Sequence, residues 1–188
     1  MFLFEIFSKK RSIDEFRQTA ERQVLNIGIF GDQKVGKSSL IDFLIGEEFQ
    51  EDRTTTEMYE RRAGKVIFKF GKNNQILKEK TVIFHEFTTK VLYERLREED
   101  KDSLDLSIIC YENPNHLNHF LQEYGTFIPA YIPRLAVQCK IDDEELNNFE
   151  TGAFSFERFG VKLFGKTSAK LNQEADLISS IFHLLNNP

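Results

Sequence analysis

Tryptophan is absent from this 188-residue chain, and cysteine is nearly so, with Cys110 and Cys139 alone. Both lie in apolar, strand-like runs rather than in closely spaced pairs. That argues against a disulfide framework or a zinc site and for reduced thiols in a core. No run approaches the ~20 apolar residues that span a bilayer. The opening "MFLFEIFSKKR" puts its apolar patch before its basic cluster, the reverse of a secretory signal. Phe2 excludes myristoylation, and the final "HLLNNP" offers no cysteine for prenylation. An excess of positive charge is missing too. The formal net charge is −5, so a nucleic-acid-binding or anionic-membrane surface is not expected. These absences point to a cytoplasmic protein with no transmembrane segment.

What is present is an ordinary globular balance, 40% hydrophobic and 29% charged, enough to bury a sizeable core. The 19 phenylalanines supply its rings. The length favours one domain, placed at 23–188, behind an apolar segment and short helix in 1–22. Within that segment "SIDE", Ser12 to Glu15, has the spacing of a capping box. The cluster Phe2, Leu3, Phe4, Ile6 and Phe7 has three uses open to it: docking on the domain, meeting a partner, or peripheral contact with a membrane.

Along the chain, "VLNIGIF" (24–30) reads as a buried strand ending in a glycine turn. "SLIDFLIGEEF" (39–49) reads as a helix burying Leu40, Phe43 and Leu44. "EDRTTTEMYERRAG" (51–64) is polar enough to predict a mobile loop. "KVIFKFG" and "ILKEKTVIFHEF" alternate like the arms of a hairpin turning at Gly71 to Asn74. Residues 90–102 are charged and helix-prone. "LDLSIICYEN" is a strand, "HLNHFLQEY" a helix, "RLAVQCKIDD" and "GVKLFGKTSAK" strands with polar ends, and "EADLISSIFHLL" a closing helix. Strand and helix alternate, which predicts an α/β domain with a mainly parallel sheet covered by helices.

The most informative stretch is "IFGDQKVGKSSL" (29–40), with the spacing G-x-x-x-x-G-K-S between a strand and a helix. Gly31 and Gly36 let successive backbone N–H groups approach phosphate oxygens without a Cβ in the way. The helix start adds unsatisfied N–H groups and a positive dipole end. In this pattern Lys37 neutralises outer phosphates and Ser38 ligates Mg²⁺, with Lys34, Val35 and Ser39 completing the cradle. Gln33 and Lys34 place long side chains where phosphates are expected.

Two later motifs concern the base. "CKID", Cys139 to Asp142, and "TSAK", Thr167 to Lys170, each follow a strand and resemble the N-K-x-D and S-A-K elements of Ras-like small GTPases. The resemblance covers roughly 22–186. It implies a Ras-like, six-stranded, mainly parallel P-loop fold that binds GTP or GDP with Mg²⁺. Asp142 then accepts from the guanine ring N–H and amine, a pair adenine lacks. The Lys140 stem lies over the ring, and Ser168, Ala169 and Lys170 form the other wall. Cys139 replaces the family's Asn, so guanine preference is expected to survive with reduced affinity. Thr56 falls at the switch threonine that completes the metal shell, and Thr55 fits the pattern as well.

The family's third element, D-x-x-G followed by a catalytic glutamine, is not kept. "VIFHEFTTK" puts Glu86 at the Asp, Thr89 at the Gly and Lys90 at the Gln. Glu86 retains carboxylate oxygens for Mg²⁺. Thr89 lacks the backbone freedom of glycine, and Lys90 cannot orient water as an amide does. Gln33, Lys34, Thr89 and Lys90 thus crowd the γ-phosphate position with no residue assigned to catalysis. "VIFHEF" and "LSIICYENPN" are most similar to the second GTPase domain of Miro proteins, the mitochondrial Rho-type GTPases. The chain is then either an excised domain or an independent atypical GTPase. Three readings follow: a GTP/GDP switch with slow hydrolysis, a pseudo-GTPase serving as a nucleotide-stabilised interaction module, or a P-loop kinase using "RLRE" (95–98). In the first two, an effector or regulatory protein is met through loops 50–62 and 86–102.

Overall fold

The computed structural model describes residues 24–51, 59–70, 75–87, 103–125, 128–142, 159–171 and 173–175, with Leu177 and Ile181. The N-terminal apolar cluster, the "SIDE" helix, the Gly71 to Asn74 turn and the charged stretch 90–102 lie outside these residues. In order the elements are β1 (Val24–Phe30), α1 (Lys37–Ile45), β2 (Glu60–Phe70), β3 (Gln75–Glu86) and β4 (Leu106–Tyr111). Then come α2 (Pro114–Tyr124), β5 (Arg134–Gln138), β6 (Val161–Ser168) and β7 (Gln173–Ala175).

The strands form one sheet in the order β2-β3-β1-β4-β5-β6-β7. β1 pairs in parallel with β3 and β4, β4 with β5, and β5 with β6. The two ends are antiparallel: β2 on β3, with Arg62 opposite Phe84, and β7 on β6. Seven strands rather than six is one correction. The added one is β7, which takes Glu174 and Ala175 from the predicted closing helix; Leu177 and Ile181 are helical. β2 is longer than expected too. It begins at Glu60, so five residues assigned to a polar loop are strand, and their period-2 alternation with Arg62, Gly64 and Val66 inward explains why.

Burial follows the sequence. Every residue of β4 and β5 is buried, as expected for central parallel strands covered on both faces. One face carries Leu25, Ile27, Ile29, Val82 and Phe84 against Leu40, Ile41 and Leu44 of α1, with Leu177 and Ile181. The other carries Phe30, Ile109, Tyr111 and Ala136 against Leu117, Phe120 and Leu121 of α2. Helix α1 stops at Gly46, whose N–H returns to Asp42 and Phe43, so "EEF" is not helical. Helix α2 is started by Asn113, whose side chain accepts from the His116 N–H at 3.0 Å, with Pro114 in its first turn. None of the helices formed by the described residues is long and apolar enough to cross a membrane.

β1 is where the order reverses: the β2–β3 hairpin lies to one side of it and β4 to the other. Ligands of open α/β sheets bind at such switch points, beyond the carboxyl ends of the strands. The loop Gly31 to Lys37 leaves the carboxyl end of β1 there.

Candidate functional site

The glycine loop is held by close approach to the neighbouring strands. Gly31 has φ 138, and a Cβ there would stand 2.3 Å from the Cys110 carbonyl oxygen. Gly36 has φ 100, and a Cβ would meet the Cys139 Cβ at 3.2 Å. Only glycine fits both positions. Val35 turns its side chain into the core while Gln33 and Lys34 are exposed. Cys110 and Cys139 are free, buried thiols, as their apolar settings predicted. Their mutual hydrogen bond, and burial after it, push the Cys110 thiol well up, which keeps it protonated.

Lys37 folds over this loop. Its Nζ donates to the carbonyl oxygens of Gly31 at 3.0 Å and Asp32 at 2.6 Å, and it is 4% exposed. Burial lowers its pKa, with nearby negative groups including Glu86 and Asp32 acting the other way. An ammonium tethered to carbonyls at a helix N-terminus, inside a loop of glycine backbone, suits a polyanion better than any neutral ligand.

The next residue begins a charged cluster. Ser38 Oγ donates to both carboxylate oxygens of Glu86, at 2.8 and 3.0 Å, across from α1 to the end of β3. Arg62 reaches the same place from β2. Its guanidinium contacts Asp42, donates to the Ser38 carbonyl oxygen at 3.1 Å and lies 3.4 Å from Glu86 Oε2. Asp42 and Glu86 are buried. Buried carboxylates need such a partner. Ser38 and Glu86, both assigned to the metal from sequence, are thus brought together. Ser39 is half-buried beside them.

The "CKID" and "TSAK" loops also meet. Ser168 Oγ donates to Asp142 Oδ1 at 2.6 Å and accepts from the Leu171 N–H at 3.1 Å. The Ile141 N–H donates to the Thr167 carbonyl oxygen at 3.4 Å, and the Cys139 N–H to that of Tyr111 at 2.8 Å. Lys140 takes the left-handed backbone, φ 59, and pairs through Nζ with Glu112. Ala169 is half-buried and Lys170 exposed, the latter 3.7 Å from Glu51. That ion pair brings the segment carrying Phe49, 39% exposed, to these loops.

Thr55, Thr56, Thr89 and Lys90 lie outside the described residues, as does "RLRE". Sequence reasoning missed Arg62, Asp42, Glu112 and Phe49. Asp42 carried a signal: a carboxylate one turn after Ser38, on the same face of an otherwise apolar helix, demands a cation, and "ERRAG" supplies one. Phe49 stood in a stretch assigned to helix, and Glu112 in a strand end, so neither drew notice.

Such an α/β domain, with a lysine-bearing glycine loop at the sheet's switch point and two clasped loops beyond it, is compatible with a GTPase domain. No family model matches the chain. It is 28% identical over 200 residues to Mitochondrial Rho GTPase 2 of Arabidopsis thaliana, a match taking in 96% of this chain and 29% of the relative. The chain therefore spans less than a third of that relative's length, and its resemblance to Miro-type GTPases extends over nearly all of its own.

Proposed function

We propose that this chain is a GTPase-like domain that binds a guanine nucleotide and acts as a GTP/GDP-dependent switch with slow hydrolysis. One observation carries the reading: the glycine loop with Lys37, after β1, and the Asp142–Ser168 clasp, after β5 and β6, lie at the carboxyl ends of parallel strands of one sheet, with β4 between them. The loop offers backbone N–H groups, the α1 N-terminus and Lys37 to phosphates. Asp142 offers a carboxylate to the guanine edge and Lys140 its stem to the ring. A site that pairs buried polar groups with one base rejects another by leaving them unpaired. The relative's name, a Rho GTPase, agrees with this.

The residues suit Mg²⁺ in donor type. Ser38 hydroxyl and Glu86 carboxylate are hard oxygens on adjoining elements. Among the described residues no three His, Cys, Asp or Glu side chains are grouped to hold a metal by themselves. Ser38 and Glu86, with Thr56 as the sequence reading has it, would hold the ion against the phosphates. Its chemistry is to neutralise charge on the terminal phosphates.

Slow turnover rests on what the chain puts near the γ-phosphate. Intrinsic hydrolysis in Ras-type domains is already ~10⁻⁴ s⁻¹, and a partner's arginine raises it about 10⁵-fold. Lys90 at the glutamine position cannot orient water, and Gln33, exposed on the loop, stands in such an arginine's way. The pseudo-GTPase alternative differs only in having no turnover. Titration with GDP and ADP tests the base assignment: at least about a hundredfold preference for GDP is expected. Equal affinities would overturn it. Single-turnover cleavage at the rate of a partner-stimulated GTPase would overturn slow hydrolysis.

A further inference from the structure

We infer that the Arg62 guanidinium competes for the magnesium position, so that this site holds its nucleotide with only weak dependence on Mg²⁺. The inference rests on the nucleotide-binding reading above. Arg62 stands on β2 with its side chain on the α1 face of the sheet, two residues from Gly64 and four from Val66 of the same inward row. From there it reaches one member of the expected metal pair, Oε2 of Glu86 at 3.4 Å, and the backbone carbonyl of Ser38, whose hydroxyl is the other member, at 3.1 Å. Asp42, one turn along α1, holds the other side of the guanidinium.

A guanidinium does not lose its proton, so this positive charge is permanent. It lies within a few ångströms of the carboxylate and serine that would ligate the metal, in a place where Glu86 is 2% exposed and screening is weak. Two consequences follow for a divalent cation. The carboxylate it needs already shares a guanidinium with Asp42, and the metal's approach is opposed by that like charge. The nucleotide itself loses less, because Arg62 and Lys37 already supply positive charge to that end of the loop. The Nε of Arg62 is buried with no hydrogen-bond partner, and a carboxylate oxygen of Glu60 lies 3.5 Å from it. The guanidinium is therefore oriented by the Ser38–Asp42–Glu86 side and not by a full set of bonds of its own.

The plain alternative is that Arg62 only balances Asp42. The two ideas separate in the release of a fluorescent GDP analogue into excess unlabelled GDP, measured in EDTA and in millimolar Mg²⁺. For the natural protein the two rates are expected to differ by less than about threefold. Arg62→Met is expected to open that ratio to at least about tenfold, given one charge a few ångströms from a half-buried site. Arg62→Lys, which keeps the charge, is expected to stay near the natural ratio. Asp42→Asn combined with Arg62→Met removes the buried ion pair together and supplies the same comparison should the single variant not fold. Mn²⁺ titration of the GDP-loaded proteins, followed by electron paramagnetic resonance, gives a readout free of release kinetics. Tighter Mn²⁺ binding by the methionine variants is expected. A natural protein that already releases GDP tenfold faster in EDTA, or variants that leave the ratio and the Mn²⁺ affinity unmoved, would overturn the inference alone. Failure to bind GDP in either medium would overturn the nucleotide reading, and this inference with it.

Discussion

At the ends of β1 and β3, Lys37, Asp42, Arg62 and Glu86 are packed against one another and mostly out of water, whereas Asp142 and Lys140 beyond β5 stand at the rim, positioned by one hydroxyl, one carboxylate and the backbone. The first region is interlocked by charge. Removing Asp42, Arg62 or Glu86 leaves an uncompensated ion, so stability and binding are tied together at those three. The second is held by hydrogen bonds from backbone turns, and its side chains have solvent as an alternative partner. Substitutions there should move recognition and leave the fold nearly untouched. The division makes sense for a site that must bind many phosphate-bearing ligands strongly and choose among bases by a few contacts.

Lys37 is the sharpest test of that division, because it sits in the interlocked region yet leans on carbonyls. Burial lowers its pKa from the ordinary 10.5, so its charged form costs the fold stability, in full below the lowered pKa and fading as pH rises towards 10.5. Lys37→Met removes the cost and keeps the volume. It is expected to leave the unfolding temperature without nucleotide unchanged or higher, most visibly near neutral pH, while weakening GDP by about a thousandfold. Calorimetric titration and thermal melts of the same samples check both halves. A variant that melts lower yet binds within tenfold would reverse the assignment of cost and benefit.

How far this was legible from the residues differs by region in the same way. The glycine loop, "CKID" and "TSAK" could be read because their constraints are local: a strand end, a tight turn and a helix start lie within a dozen residues. Helix α2 was read from "HLNHFLQEY", while its start at Asn113 and Pro114 emerged only in the structure. The strand reaching back to Glu60 did not. Its five extra residues look polar because one side of β2 faces solvent and the other presents Arg62 to Asp42 and Glu86, partners 20 and 24 positions away. Edge strands and charged contacts of that span leave little periodic signal. β7 is three residues long and was absorbed into the helix that follows it. Thr56, Thr89 and Lys90 remain expectations, outside the described residues.

The rim yields to a gentler pair of changes. Asp142→Asn exchanges an acceptor for a donor at the base edge, so GDP affinity is expected to fall by about a hundredfold while a xanthine nucleotide gains. Because Asp142 is exposed, unfolding in urea should shift by less than about 0.5 kcal/mol. Ser168→Ala removes the hydroxyl that holds that carboxylate at 2.6 Å and also caps the Leu171 N–H. A hydrogen bond to a charged, partly solvated group is worth on the order of 1.5 kcal/mol, so about tenfold in GDP affinity is expected, with base preference kept. Unchanged base preference in Asp142→Asn would mean that this carboxylate does not read the base. A Ser168→Ala variant that loses preference rather than affinity would mean the hydroxyl does.

The smallest effects compare two lysines that share one backbone conformation. Lys34 in the glycine loop has φ 64 and Lys140 in the other has φ 59, both in the left-handed region that costs a side chain about 1 kcal/mol or more. Glycine removes that cost at either position but loses more entropy on folding, so each Gly variant is expected to gain only about 0.5 kcal/mol. The side chains differ in employment. Lys140 turns its head to Glu112, and its aliphatic stem is the part proposed to cover the base. Burying one or two methylenes against a ring is worth about fivefold in affinity, and Lys140→Gly should lose that much GDP binding while melting slightly higher. Lys34 is exposed, and its charge acts through water, so Lys34→Gly should change GDP affinity by less than about twofold. A drop at Lys34 as large as that at Lys140 would show that the long side chain in "GDQKVGKS" reaches the phosphates after all, and would make it a second charge in the loop rather than solvent-facing filler.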